Sequence, residues 1–449
     1  MAGRVPVSQA VEVQGDALVP RHGDPSYGVE HYDLDLTWKH LGNHLSGRAV
    51  LDVVVEHPTR RLVLDLHALT VGKVSVRGAR LAQWNHRQGR LVLKLSDELG
   101  PGARVTVTVA YAGVPRTVPG PDGDAGWEEL EDGVIVASQP HGAPSWFPCN
   151  DRPSDKASYR ISLVAASAYT VVANGRLVEK RTASSRTRWV YAQEQPMATY
   201  LATAQIGRYV SRPVTGTSVP ATIVHPAHLA DVVAAGFARQ GEMLEVLTRL
   251  FGPYPFDAYT VVVTDDALEI PLESQGLSTF GSNYARTDWD AQRLIAHELS
   301  HQWFGNSLTL AHWRDIWLHE GFACYAEWLW SQESGGPSTH EQAQRHWTRL
   351  HAEPQDLVLS DPGPTELFDD RVYKRGALTL HAVRLMIGDH AFFALLRDWV
   401  AAHQYGSVTT ADFTAAAAAH SDLDLDDLFR RWLHQPKLPT LPSARRVSP

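Results

Sequence analysis

Two periodicities divide the chain. From His31 onward apolar and polar residues alternate, with Tyr32, Leu34 and Leu36 set between Asp33, Asp35 and Thr37. Alternation of period two sends successive side chains to opposite faces of a strand. The pattern returns over Ser46–Val55, Arg61–Leu66, Lys73–Val76, Arg90–Leu93 and Arg104–Tyr111, with turn residues such as Pro101-Gly102 between. A Gly- and Pro-rich stretch from Gly113 to Gly126 reads as an exposed loop. Strand signals resume at Gly133–Ala137, Ala157–Ala165, Tyr169–Asn174, Thr187–Tyr191 and Tyr200–Ile206. Short strands at close spacing predict an antiparallel β domain over residues 27–210.

From Leu229 the period becomes helical. Val232, Val233, Phe237, Met243, Leu244, Leu247 and Leu250 suit one helix over a core, stopped by Pro253 and Pro255. Tyr259–Val263 reads as a buried strand, and Leu272–Phe280 as an edge strand beside a cleft. Helices are predicted over Asp290–Phe304, Ile316–Gln332, Ser338 to just before Pro354, Tyr373–Ile387, Ala391–His403, Thr410–His420 and Leu425–Leu433. Residues 211–435 thus form a mostly helical domain with a small sheet. A loose arm, 1–26, precedes the β domain, and a proline-rich extended tail, 436–449, ends the chain.

The bulk numbers narrow this little. A chain of 449 residues is too long for one core. A net charge of -9 gives no pull toward nucleic acid or an anionic membrane. No apolar run reaches a membrane span, and Met1–Asp24 has no apolar signal-peptide segment. The two cysteines, Cys149 and Cys324, form no disulfide framework and point to a reducing, cytoplasmic compartment.

The chemistry gathers in His297-Glu298-Leu299-Ser300-His301, an H-E-x-x-H pattern. Residues four apart share a helix face, so both imidazoles can grip one cation, with Glu298 beside them to hold a water. Glu320, in the next helix, completes a two-histidine, one-carboxylate set for one zinc ion per chain. Such zinc keeps an open position, where a bound water turns acidic enough to attack near neutral pH. Glu298 would take the proton and pass it to the leaving amine. Cys324 is conceivable as an extra ligand, though a buried helix residue is the simpler reading. The intermediate's negative charge needs a donor, and Tyr373 is one candidate among many. The histidines need acceptors on their other nitrogens, and Glu327, Asp315 and Asn306 are within reach. The irregular, aromatic-rich segment Ser138–Lys156 has the character of a site-lining loop.

These motifs resemble the M1 family of zinc aminopeptidases, a gluzincin group. His297–Asn306 is similar to the family's metal helix, and Asp315–Glu327 to its second segment with the spacing kept. The resemblance implies a saddle-like antiparallel β domain followed by a thermolysin-like catalytic domain. It assigns zinc to His297, His301 and Glu320, the general base to Glu298, intermediate stabilisation to Tyr373, and a supporting role to Glu327. Ile270-Pro271-Leu272-Glu273-Ser274 stands where the family has G-x-M-E-N. Glu273 is kept and would bind the substrate's free α-amine. Gln139 would line the pocket for the first side chain. His141 replaces a Gln or Glu that helps hold the amine. The implied substrates are peptides with a free N-terminus. Family members continue into a helical C-terminal domain, so a short form is expected, with either a more open site or that face covered by a second copy in a homo-oligomer. The altered exopeptidase segment leaves two alternatives: a zinc hydrolase of another substrate, such as an epoxide hydrolase or narrow amidase, or a catalytically lapsed zinc-stabilised binding protein.

Overall fold

The computed structural model describes residues 16–121 and 123–443. The alternation from His31 builds the strand Tyr27–Lys39, with Tyr32, Leu34 and Leu36 buried. This strand lies at the centre of a seven-stranded sheet. One edge pairs antiparallel with His44–Val55. The other pairs parallel with Lys156–Ala166, His31 opposite Ser158. The domain is therefore not wholly antiparallel. The long connection between these two strands is what permits a parallel pair.

A three-stranded and a four-stranded sheet complete this half. Three of its strands escaped the pattern. Arg176–Ala183 is exposed at every residue and has no alternation to read. Leu81–Arg87 is only half-buried. Gly126–Leu130 begins at the end of the predicted loop and pairs with Gly133–Ala137. Of the expected loose arm, residues 1–15 lie outside the described residues. The rest of the arm is pinned: Leu18 and Val19 are buried, Trp313 N donates to Asp16 Oδ2 (2.7 Å), and Gly23 N donates to Asp65 Oδ2 (2.8 Å).

The second half opens with a four-stranded sheet of Tyr209–Val214, Ala221–Pro226, Tyr259–Val263 and Leu277–Phe280, its last three strands parallel. Leu277–Phe280, the rim strand, lies at the sheet edge as its sequence predicts, and Leu272 bridges back to Thr279. Among the described residues two α-helices lie between the second and third of these strands, and seven follow the sheet. The long helix expected after Leu229 is two, Ala230–Gly236 and Gln240–Phe251. The break falls at Phe237, whose ring packs edge-on against Phe280. The tail is extended as far as residue 443, held by Arg375 Nη1 on Pro436 O (2.6 Å) and Trp347 Nε1 on Pro439 O (2.7 Å).

The halves share one continuous apolar core. A buried lysine staples them. Lys156 Nζ donates to Asn306 O (3.0 Å), Ser307 O (2.9 Å) and Gly406 O (3.3 Å), and burial pushes its pKa down to about 7. Among the described residues no helix is long and apolar enough to cross a membrane.

Candidate active site

The histidine helix, Trp289–Ser300, starts where Asp288 accepts from Ala291 N (3.1 Å). Ile295, Ala296 and Leu299 bury one face, while His297 and Glu298 line a cavity of about 590 Å³ between the two halves. The helix ends earlier than Phe304, and His301 is its cap. The chain then folds back, so that His301 Nδ1 donates to Phe304 O (3.0 Å). Gly305 permits this turn at φ +134°, where an added Cβ would come within 3.1 Å of His301 Nδ1. His297 Nδ1 donates to Glu327 Oε1 (2.8 Å). With both Nδ1 atoms committed, the Nε2 lone pairs are left for a cation.

The glutamate helix, Trp317–Glu333, carries Glu320 and Glu327 two turns apart. Glu320 Oε2 lies 3.4 Å from His297 Nε2 and 3.5 Å from His301 Nε2. Tetrahedral zinc, with bonds of about 2.0–2.1 Å, spaces its ligand atoms about 3.4 Å apart. The donor set therefore fits zinc in type and spacing. Its electrostatics agree. Burial disfavours charge on either imidazole, yet Glu320 and Glu327 raise His297, and Glu320 and Glu273 raise His301. Burial likewise opposes ionisation of Glu320, but the two histidines hold its pKa well down. The cluster is built to hold positive charge.

Glu298 is buried beside it. Burial pushes its carboxyl pKa up, His297 pulls it back, and the Glu273 carboxylate raises it further. A carboxyl so placed can take a proton and return it near neutral pH. The tyrosine helix, Asp370–Ile387, brings Tyr373 over His297 with ring centroids 6.0 Å apart. Burial, then Glu320 and Glu273, hold this phenol protonated well above its ordinary range, so it stays a donor. Glutamate and tyrosine helices touch at glycine, where a Cβ on Gly321 would sit 2.7 Å from Gly376 Cα. That contact sets the separation between Glu320 and Tyr373.

At the other end of the cavity stand Glu273 and Gln139. Glu273 is 8 % exposed, and among the described residues no other residue bonds or pairs with its carboxylate. Its backbone carbonyl accepts from Asn306 Nδ2 (2.7 Å). Gln302 grips the same segment, accepting from Gly276 N (2.7 Å) and donating to Ser274 O (3.2 Å).

Three expectations, for His141, Asp315 and Asn306, are corrected by this geometry, while Cys324 is the buried helix residue of the simpler reading. His141 is buried outside the cavity lining, its Nε2 donating to Val118 O (3.1 Å). Burial and nearby His22 push its pKa down, so it is neutral there. Asp315 serves no ligand histidine and instead accepts from Thr410 N (3.1 Å) and Thr410 Oγ1 (2.6 Å). Asn306 supports Glu273 rather than a histidine. Cys324 Sγ accepts from Lys374 Nζ (3.3 Å) and stays outside the donor set. Gln302 and Lys374 are site residues that the sequence reading misses. Only Gln302, directly after His301, had a signal, and its partners are distant in the chain. His319 has another duty: its Nε2 accepts from Leu310 N (2.8 Å), and burial pushes its pKa down to about 3.

The Peptidase M1 N-terminal domain model matches residues 29–201, and the Peptidase family M1 domain model matches residues 237–432. A crystal structure of an M1 zinc metallopeptidase from Deinococcus radiodurans superposes with a TM-score of 0.88 at 31% identity, covering 96% of this chain and 99% of that one. The chain belongs to peptidase family M1. A variant of the Deinococcus M1 enzyme bound to a Tyr-Ser-Ala substrate superposes equally well, at 31% identity over the same shares. Aminopeptidase M1-D of Oryza sativa subsp. japonica is 25% identical over 96% of this chain and 52% of its own length. Aminopeptidase N of Lactococcus lactis is 28% identical over 67% of this chain and 38% of its own. The chain spans about half the length or less of these curated M1 relatives, but nearly all of the Deinococcus protein.

Proposed function

We propose that this M1 chain is a zinc aminopeptidase that removes the first residue from short peptides. The observation that carries the reading is Glu273: a buried carboxylate without a side-chain partner among the described residues, in the same cavity as His297, His301, Glu320 and Glu298. Burying an unpaired carboxylate is costly, and a substrate ammonium removes that cost. His297, His301 and Glu320 would hold the zinc. When bound, zinc polarises the scissile carbonyl and acidifies the attacking water. Glu298 accepts the water's proton and returns it to the leaving amine. The Tyr373 hydroxyl donates to the oxygen on which negative charge develops. Glu273 fixes the free amine, so that only the first peptide bond reaches Glu298 and Tyr373. Gln139 borders the space for the first side chain.

The peptide and amino-acid complexes of M1 structural relatives support this substrate class. Two free, buried cysteines fit a reducing, cytoplasmic setting.

The test is a panel of aminoacyl amides, free and N-acetylated, assayed with zinc present. Free amines should turn over and acetylated ones should not. Equal turnover of both overturns the exopeptidase reading.

A further inference from the structure

Beyond Glu273 the cavity has a second acidic wall that the proposed chemistry leaves unused. Glu128, Asp124 and Glu269 all line it. Glu128 stands opposite Ile135 on paired strands, and Ile135 and Ala137 lead along the lining to Gln139. Glu269 lies four residues before Glu273 on the segment that forms the amine end. The two stretches that carry the amine-end groups thus also bring in these carboxylates. Glu128 is half-buried, and no ion pair or side-chain hydrogen bond reaches its carboxylate among the described residues. Burial, then Asp124 and Glu269, push its pKa up.

The cavity's cations are engaged elsewhere. Arg293 pairs with Glu327 (3.3 Å), and Lys374 with Asp370 (3.7 Å) and Cys324. Among the described residues neither pairs with Glu128, Asp124 or Glu269. Asp124 and Glu269 are exposed and Glu128 half-buried; like charges gathered along one wall repel each other, and an incoming cation relieves the repulsion. A peptide with its amine at Glu273 must place its first side chain nearby, because that side chain branches from the carbon bearing the amine.

The geometry points to Glu128, with Asp124 and Glu269, as the determinant that selects a lysine or arginine as the first residue of the substrate. This inference rests on the aminopeptidase reading. A hydrogen-bonded charge pair with half-buried Glu128 would favour a cationic side chain over a neutral one of equal length by about tenfold in kcat/KM.

The experiment compares p-nitroanilides of lysine and norleucine, which share a carbon chain and differ in charge, and of arginine and citrulline. The wild-type chain should favour lysine over norleucine and arginine over citrulline, and the preference should shrink as salt is raised. Glu128→Gln should lower both ratios severalfold, the ratio and not the absolute rate being the readout. Glu269→Gln gives a second variant, expected to act in the same direction, should the first fail to fold. Turnover of the neutral substrates with ratios at or below one overturns the cationic pocket and leaves the aminopeptidase reading standing. Absence of turnover for every free-amine substrate overturns both.

Discussion

At one end of the cavity His297, His301 and Glu320 stand on or directly beside two packed helices, and both Nδ1 atoms already have partners in Glu327 and Phe304. At the other end Glu273 stands on an irregular segment, its backbone held by Asn306 and its carboxylate without a partner. The first end is complete within the protein apart from its cation. On the proposed reading the second is complete only when substrate is present, so that one end supplies reactivity and the other selection, and the two can vary independently. That is why Ile270-Pro271-Leu272 can replace the family's residues beside Glu273 while the metal set stays in place.

The sharpest way to separate the ends is Glu298→Gln. It should cut turnover roughly a hundred- to ten-thousandfold, with zinc content by metal analysis unchanged. Full activity in that variant would remove the proton shuttle from the mechanism. Tyr373→Phe should cost roughly a hundred- to thousandfold in kcat with little change in KM. A purely packing role would move stability instead. Glu327→Gln tests whether the metal end is as self-contained as its bonds suggest. Loss of the carboxylate that holds His297 Nδ1 should weaken zinc roughly ten- to hundredfold in a chelator competition. The smallest effect is expected at the boundary between the ends. Asn306→Ala removes the bond to Glu273 O and should raise KM for free-amine substrates about threefold to tenfold, leaving zinc affinity untouched. A loss of zinc in Asn306→Ala would show that the two ends are not independent.

The metal end was readable because His297 and His301 stand four apart on one helix and Glu320 follows on the next, whereas Glu327 stood out from Asp315 and Asn306 only through family resemblance. The alternation of Tyr32, Leu34 and Leu36 made their strand equally plain. Arg176–Ala183 was invisible because an edge strand exposed at every residue has no face to bury. Residues 16–26 look polar and loose, yet their carboxylates meet backbone N–H groups far along the chain. His141 and Asp315 were misplaced for the same reason. Sequence says that a side chain can bond, and only tertiary structure says to what. Tyr373 owed its role to family resemblance, since a tyrosine early in a helix carries no signal of its own.

The glycine contact between the glutamate and tyrosine helices has a consequence for how such an enzyme can change. Gly321 and Gly376 touch no reacting atom, yet any side chain at Gly321 must wedge the helices apart, with the backbone of Gly376 only 2.7 Å from the first added carbon. A single methyl there would shift Tyr373 relative to Glu320 while leaving every catalytic residue in the sequence. The position acts as a spacer whose thickness is set to zero. Drift at this spacer could silence the chain while a motif search still scored it as intact.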